Sequence, residues 1–141
     1  MAIRTAKAEW NGNLTEGKGT MSLGSGAYQG PYSFTSRFEA GAGTNPEELI
    51  AAAHAGCYSM ALSAGLAKNG FNPQRVAADA KLQLLKTDAG FTITTIELDV
   101  EAKVPGIDDA KFQEFAEGAR KNCIVSRALT GVEIKVNAKL V

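Results

Sequence analysis

The feature that most constrains the fold is a run of nineteen residues, 49–67, without a single Asp, Glu, Lys or Arg. A helix that is apolar on all sides is either a membrane span or the buried centre of a soluble protein. The run consists mostly of Ala, Gly and Ser and contains His54, so its transfer into lipid would be weakly favourable. We therefore expect a central helix of a soluble protein and no membrane partner.

The residues around this run predict where the helix begins and ends. Asn45 fits the N-cap, Pro46 the first helical position, and Glu48 the third residue of a capping box. The segment "NGFNP" that follows Lys68 contains a Gly and a Pro that stop a helix. The sequence therefore predicts one long helix over residues 46–68.

The remaining elements are predicted from hydrophobic periodicity and turn residues. Strands are expected within residues 3–38, and two long strands over 76–87 and 91–104 are joined by "TDAG". A second helix is expected to start near Asp108 or Asp109, a short third helix to be capped by Asn122, and a last strand to cover 132–140. This order predicts an α+β fold with antiparallel sheets, in a single domain over residues 1–141.

Composition argues against several classes of function. Fifteen basic residues balance fifteen acidic ones and form no basic stripe, so nucleic acid is a poor candidate partner. The N-terminus "MAIRTAKAEW" has no apolar signal-peptide core, which favours a cytoplasmic protein. Two Cys and one His are too few for a disulfide scaffold or for a zinc site without help from other groups, so we expect no metal.

The two cysteines have opposite settings. Cys57 lies in the middle of the predicted helix without a nearby fixed charge, so it is either a core residue or a nucleophile that needs a cation from another segment. Cys123 lies at or near the start of the predicted short helix, where free N–H groups stabilise a thiolate. If the fold brings the two together, they would form a nucleophile and a resolving thiol.

Three further side chains are candidates. His54, three residues before Cys57, could be the base of a thiol hydrolase, but no orienting Asp or Asn is evident, and a structural or interfacial role is favoured. Arg37 alone would be a solvated residue at a strand edge. Glu47 lies about 15 Å from Cys57 along a straight helix. It therefore cannot reach the thiol within that helix, but it could hold Arg37 or meet a partner subunit.

Three segments carry a resemblance to a known family. They are "PYSFTSRFEAGAGTNPEELIAAAHAGCYSMALS", "LLKTDAGFTITTIELDVEAKVPGID" and "ARKNCIVS". Together they resemble the OsmC branch of the OsmC/Ohr family, osmotically inducible peroxidases related to organic hydroperoxide resistance proteins. The resemblance covers essentially the whole chain. It implies that Cys57 is the peroxidatic cysteine, Cys123 the resolving cysteine, Arg37 the activating cation, and Glu47 the carboxylate that positions the Arg.

The resemblance also implies a reaction and an assembly. Cys57 would attack an organic hydroperoxide and become a sulfenic acid, Cys123 would close a disulfide, and a dithiol or small-thiol reductant would reset the enzyme without a cofactor. Hydrogen peroxide would be a weaker substrate. The charge-free surroundings of Cys57 would suit an alkyl hydroperoxide. The family fold is an intertwined homodimer with its sites at the subunit interface.

One residue departs from the family pattern. Many relatives have Cys-Pro-Val-Ser at the second cysteine, whereas Ile124 follows Cys123 here. We expect a looser turn and a changed rate of disulfide closure, with the nucleophile unaffected. Three alternatives stay open from the sequence: a module that binds a small apolar ligand, a redox sensor, and the Cys57–His54 hydrolase.

Overall fold

The computed structural model describes all 141 residues and contains two compact units, 1–49 and 50–141. The order of strands and helices is α+β, as predicted, with one more short helix than the sequence predicts. The elements are β1 (Ala6–Asn11), β2 (Lys18–Leu23), β3 (Gln29–Tyr32), α1 (Phe34–Phe38), α2 (Pro46–Lys68), β4 (Arg75–Thr87), β5 (Gly90–Lys103), α3 (Asp109–Asn122), α4 (Ile124–Ala128) and β6 (Glu133–Leu140).

The N-terminal unit contains an antiparallel sheet of β1, β2 and β3, followed by α1. The prediction of strand for residues 34–38 is wrong, because they form α1. Ser33 caps this helix: its Oγ accepts from the N–H of Ser36 at 3.2 Å, and the Oγ of Ser36 accepts from the N–H of Ser33 at 2.9 Å. This reciprocal capping box fixes a helical turn that outweighs the β propensity of the aromatic and Thr side chains.

Helix α2 has the predicted bounds. The Oδ1 of Asn45 accepts from the N–H of Glu48 at 2.7 Å, which confirms the N-cap. The carboxylate of Glu48 accepts from the hydroxyl of Thr44 at 2.7 Å, so the second half of the predicted capping box is not formed. Gly70 follows the helix with φ +86°, a left-handed conformation that favours glycine. By length and hydropathy α2 could cross a membrane, a property that central helices of soluble proteins share.

The second sheet contains a departure from the predicted antiparallel arrangement. Strands β4 and β5 form the predicted antiparallel hairpin, in which Gly90 has φ +99°. Strand β6, however, pairs with β5 in parallel, with Ile96 opposite Ile134. The reason is that α3 and α4 lie between these strands in sequence, and such a crossover lets the chain re-enter the sheet in the same direction.

The core of the second unit lies where α2, β5 and α3 pack together. Helix α3 is capped by Asp108, whose Oδ1 accepts from the N–H of Lys111 at 2.8 Å. On α3, Phe112, Ala116 and Ala119 are buried and Phe115 is half-buried, at the i, i+3, i+4, i+7 spacing of one helix face. The other buried apolar residues of these elements are Tyr58, Leu62 and Leu66 from α2, and Ile96, Leu98, Val100 and Ala102 from β5.

The junction between α3 and α4 places the second cysteine. The N–H of Cys123 donates to the carbonyl of Ala119 at 2.8 Å, which completes α3, and its Sγ accepts from the N–H of Ser126 at 3.5 Å. Cys123 is therefore the N-cap of α4, and the prediction that Asn122 has this role is wrong. Asn122 is still helical, as the last residue of α3.

Candidate functional site

In the N-terminal unit, a network of hydrogen bonds fixes α1 to the start of α2. The Oγ of Ser36 donates to the carbonyl of Thr44 at 2.7 Å, and the Nδ2 of Asn45 donates to the carbonyl of Ser36 at 2.9 Å. Ser36 is buried, so these bonds are protected from water. The network holds Arg37, the next residue of α1, opposite Glu47 in the first turn of α2.

Arg37 and Glu47 form a paired ionic contact. The Nη2 of Arg37 donates to Oε1 of Glu47 at 2.7 Å, and its Nε donates to Oε1 at 3.0 Å and to Oε2 at 3.2 Å. Glu47 is only 8% exposed, and the guanidinium carbon lies 5.2 Å from the centre of the Phe38 ring. A guanidinium held at two nitrogens has a fixed orientation, and it still has N–H groups to donate to an anion.

Arg37 also lines a cavity of about 410 Å³ in the N-terminal unit. Aromatic and aliphatic side chains make up most of its wall, which gives it the character of a site for an apolar group beside a cation. The lining residues are Trp10, Gly12, Leu14, Tyr32, Ser33, Phe34, Arg37 and Phe38.

In the second unit, the fold brings the two cysteines together. Cys57 is half-buried on α2, Cys123 is completely buried between α3 and α4, and both are reduced. Cys57 packs against the core cluster that contains Cys123, and each thiol shifts the pKa of the other. The sequence left open whether they meet, and the structure places them in direct contact.

The surroundings of the thiols shift their pKa values in opposite directions. Burial raises the pKa of Cys57, and the hydrogen bond to Cys123 raises it further, while the N–H groups of Val125 and Ile124 oppose the shift only in part. Burial also disfavours the thiolate of Cys123, but hydrogen bonds from Cys57 and from the N–H and hydroxyl of Ser126 outweigh it and lower the pKa of Cys123. Within this coupled pair, the proton therefore resides on Cys57 and the negative charge on Cys123.

Ile124 corrects one expectation from the sequence. Its backbone N–H hydrogen-bonds to Cys57 and lowers the pKa of that thiol, whereas its side chain is 75% exposed. A proline has no N–H and could not make this contact. The residue after Cys123 therefore acts on the thiol of Cys57, which the sequence analysis expected to be unaffected.

His54 is completely buried and pairs with a residue that the sequence analysis missed. Its Nε2 lies 2.6 Å from the Oγ of Ser126, its Nδ1 has no hydrogen-bond partner, and burial lowers its pKa so that the ring is neutral at pH 7. Neither ring nitrogen hydrogen-bonds to Cys57, so the alternative of a Cys57–His54 hydrolase has no supporting geometry. The signal for Ser126 was its position three residues after Cys123, where an N-cap side chain accepts from the backbone.

The predicted site residues thus form two pairs, each within one unit. Arg37 and Glu47 pair in residues 1–49, and Cys57 and Cys123 pair in residues 50–141. No three His, Cys, Asp or Glu side chains converge in a way that could hold a metal ion. The arrangement offers a dithiol that can close to a disulfide and an Arg of fixed orientation beside an apolar cavity.

Comparison with known proteins identifies the family. The family model for OsmC-like proteins matches residues 39–138. The chain belongs to the OsmC-like family. It is 49% identical to "Peroxiredoxin OsmC" of Escherichia coli K12 over 89% of both chains. The crystal structure of the organic hydroperoxide resistance protein OhrB of Bacillus subtilis is 25% identical, with a TM-score of 0.72 over 96% of this chain and 98% of that one. A Legionella pneumophila structure described as an organic hydroperoxide resistance protein OsmC shares the fold, with a TM-score of 0.74, 22% identity and 99% coverage of both chains.

Replacing Ile124 with Pro tests the contact between its N–H and Cys57. The substitution Ile124→Pro removes the donor, so we expect a higher pKa for Cys57 and alkylation by iodoacetamide at pH 7 slower by about twofold to tenfold, the range for one hydrogen bond. The rate is measured by mass spectrometry on the Cys57 peptide across a pH series. Ile124→Ala is the matched control, because it removes the side chain and keeps the N–H. Equal pH midpoints for the two variants would rule out the contact.

Proposed function

We propose that this OsmC-like protein is a thiol-dependent peroxidase that reduces organic hydroperoxides and, more weakly, hydrogen peroxide. The observation that carries the proposal is the direct contact of two reduced thiols, one half-buried and one completely buried. A peroxide can reach the half-buried thiol, and the buried thiol is next to it when a sulfenic acid forms. The names of the relatives, peroxiredoxin and organic hydroperoxide resistance protein, support the same activity.

The proposed cycle uses only the two sulfurs and a reductant. The sulfur of Cys57 attacks the terminal oxygen of the hydroperoxide, the O–O bond breaks, and the departing alkoxide takes the proton that Cys57 gave up, which yields an alcohol and a sulfenic acid. Cys123 then displaces hydroxide from the oxidised sulfur and forms the disulfide. A dithiol or small-thiol reductant restores both thiols by exchange.

Arg37 has the role of the activating cation in this proposal. Burial disfavours the thiolate of Cys57, so attack requires added positive charge. A guanidinium stabilises both a thiolate and the oxygen that becomes negative as the O–O bond breaks, and it does so most strongly where water is excluded. The Nε and Nη2 of Arg37 donate to the carboxylate of Glu47, which thereby fixes the orientation of the guanidinium. The apolar cavity that Arg37 lines is the proposed place for the alkyl group of the substrate.

The proposed assembly is a homodimer. Helix α2, apolar throughout its centre, leaves one face exposed, on which Met60 is 76% exposed. Monomeric soluble proteins rarely leave a continuous apolar surface of this kind uncovered. The exposed residues of the face are Ala53, Gly56, Met60, Ala64 and Ala67.

Steady-state peroxide consumption tests the proposed activity. With dithiothreitol as reductant, we expect the wild type to consume tert-butyl hydroperoxide faster than hydrogen peroxide, and Cys57→Ser to lose turnover of both, because the serine hydroxyl is a far weaker nucleophile than a thiolate. Cys123→Ser should still form the sulfenic acid on Cys57. Its turnover should be limited by the reaction of dithiothreitol with that sulfenic acid. A Cys57→Ser variant with wild-type turnover would assign the chemistry to another group, and a wild type without turnover would favour the ligand-binding module.

Removing the guanidinium tests the role of Arg37. For Arg37→Met we expect the second-order rate constant for oxidation of Cys57 to fall by about tenfold to a thousandfold, the scale for one stabilising donor in a dry site. The rate is followed by mass spectrometry after rapid mixing with tert-butyl hydroperoxide. Arg4→Met is the control, since Arg4 hydrogen-bonds only to the carbonyl of the neighbouring residue. An unchanged rate in Arg37→Met would assign the activation to another group.

Charge on the exposed face of α2 tests the homodimer. A carboxylate on a buried apolar interface is strongly unfavourable, so we expect Met60→Glu to shift the protein from dimer to monomer in light scattering coupled to size exclusion. Met60→Leu is the matched control, because it keeps an apolar side chain of similar volume, and it should remain dimeric. A monomeric wild type, or a dimeric Met60→Glu with wild-type affinity, would refute this interface.

A further inference from the structure

Two buried polar side chains near Cys123 have no role in the proposed cycle. They are His54 and Ser126, which form a row that ends at the sulfur of Cys123. His54 is completely enclosed, and its Nδ1 has no hydrogen-bond partner. Buried polar groups are normally hydrogen-bonded. The hydrogen bond of His54 is made by its Nε2, which lies 2.6 Å from the Oγ of Ser126.

The unpartnered Nδ1 determines the direction of the hydrogen bonds in this row. A proton on Nδ1 would be a buried donor without an acceptor, whereas a proton on Nε2 has the Oγ of Ser126 as its acceptor. The neutral ring of His54 therefore carries its proton on Nε2 and donates to Ser126. This leaves the hydroxyl proton of Ser126 free to be donated onward.

The acceptor for the Ser126 hydroxyl is the sulfur of Cys123. The N–H of Ser126 donates to this sulfur at 3.5 Å, and the side chain of Ser126 lowers the pKa of Cys123 as a donor beside the thiolate does. Both groups of Ser126 remain when Cys57 is oxidised, whereas the Cys57 thiol, the third donor, is present only in the reduced protein. Several donors directed at one buried sulfur stabilise a thiolate. They offer no acceptor for the S–H group of a neutral thiol.

We propose that His54 and Ser126 are positioning residues, which orient the Cys123 sulfur as a thiolate for its attack on oxidised Cys57. The proposal rests on the proposed peroxidase function and concerns its second step, the formation of the disulfide. His54 and Ser126 set the rate of that step. His54 fixes the rotamer of the Ser126 hydroxyl, and Ser126 directs that hydroxyl at the sulfur. We call these two residues the relay.

The step that the relay serves is balanced as follows. An electron pair of the Cys123 thiolate forms the S–S bond to Cys57, and the S–O bond of the sulfenic acid breaks. Hydroxide leaves and takes a proton from solvent to become water. The oxidation already stored on Cys57 is then shared by both sulfurs as a disulfide. Ser126 and His54 keep their protons throughout, so the relay acts by hydrogen bonding and not as a base.

The other ionisable groups around Cys123 come from α2 and α3. Besides Cys57 and His54, α2 contributes Tyr58, whose pKa is raised by burial and then by the nearby charges of Glu117 and Cys123, and whose hydroxyl donates to the carbonyl of Ala116 at 2.9 Å. Glu117 and Arg120 of α3 are held in an ion pair with each other. Neither that pair nor Tyr58 changes its charge near neutral pH, so the pH midpoint of disulfide closure reports on the Cys123 thiol.

The experiment separates the two oxidation steps. Reduced protein is mixed with tert-butyl hydroperoxide, and the reaction is stopped at successive times with acid. Mass spectrometry then counts the dithiol, the sulfenic acid trapped with dimedone, and the disulfide. The variants are Ser126→Ala, His54→Leu and His54→Gln, of which the last offers a side-chain N–H in place of Nε2. Ser59→Ala is the matched control, because the Ser59 hydroxyl only donates to the Ala55 carbonyl within α2.

The relay predicts a split between the steps. In Ser126→Ala and His54→Leu, disulfide closure at pH 7 should slow by about tenfold or more, the loss expected for one hydrogen bond to a charged group, and its pH midpoint should move upward because the thiolate loses a donor. Sulfenic acid should therefore accumulate on Cys57. His54→Gln should restore closure, and Ser59→Ala should match the wild type in both steps.

Three results would overturn the relay or its basis, and they are distinguishable. Unchanged closure rates and midpoints in folded Ser126→Ala and His54→Leu would refute the relay. Equal slowing of both steps would reduce His54 and Ser126 to a structural role. The absence of any sulfenic acid or disulfide in the wild type would instead refute the proposed function. Circular dichroism of each variant shows whether it is folded. If His54→Leu does not fold, Ser126→Ala still tests the relay.

Discussion

The contact between the two thiols is the interaction on which the rest of the site depends. It joins the middle of α2 to the junction of α3 and α4, segments that are far apart in sequence. The contact depends on the charge-free centre of α2 and on Cys123, whose N–H is the last donor of α3 and whose side chain caps α4. The composition of α2 and the break between α3 and α4 therefore bring the two sulfurs together.

The electrostatics of this pair give the proposed reaction a reason to use a cation. Burial raises the pKa of Cys57, while donors from Ser126 and Cys57 lower that of Cys123, so the fold of residues 50–141 alone puts the negative charge on the sulfur that a peroxide cannot reach. A proposed role for Arg37 follows, since a guanidinium near Cys57 would move that charge to the accessible sulfur. The Arg37–Glu47 pair, with its fixed geometry, is the cation that the N-terminal unit has available.

The sequence predicted local structure well where short-range rules decide it. The bounds of α2 follow from Asn45, Pro46 and the glycine beyond its end, and α3 follows from its apolar spacing. Residues 34–38 differ from the prediction because their aromatic and Thr side chains favour a strand, whereas the capping box of Ser33 and Ser36 fixes a helical turn. The parallel pairing of β6 and the contact between His54 and Ser126, which are 72 residues apart, depend on how the chain returns through the core. Local patterns do not contain that information, and the roles of Arg37 and Glu47 came only from family resemblance.

The most direct test of this account is a count of thiols after a single equivalent of organic hydroperoxide. Wild type, Cys57→Ser and Cys123→Ser are treated with tert-butyl hydroperoxide, digested without reductant, and mapped by mass spectrometry. The account predicts the loss of both thiols in the wild type, with a peptide pair linked through Cys57 and Cys123, and a sulfenic acid confined to Cys57 when Cys123 is absent. Two reduced thiols in a folded wild-type protein, or a sulfenic acid on Cys123 instead of Cys57, would contradict it.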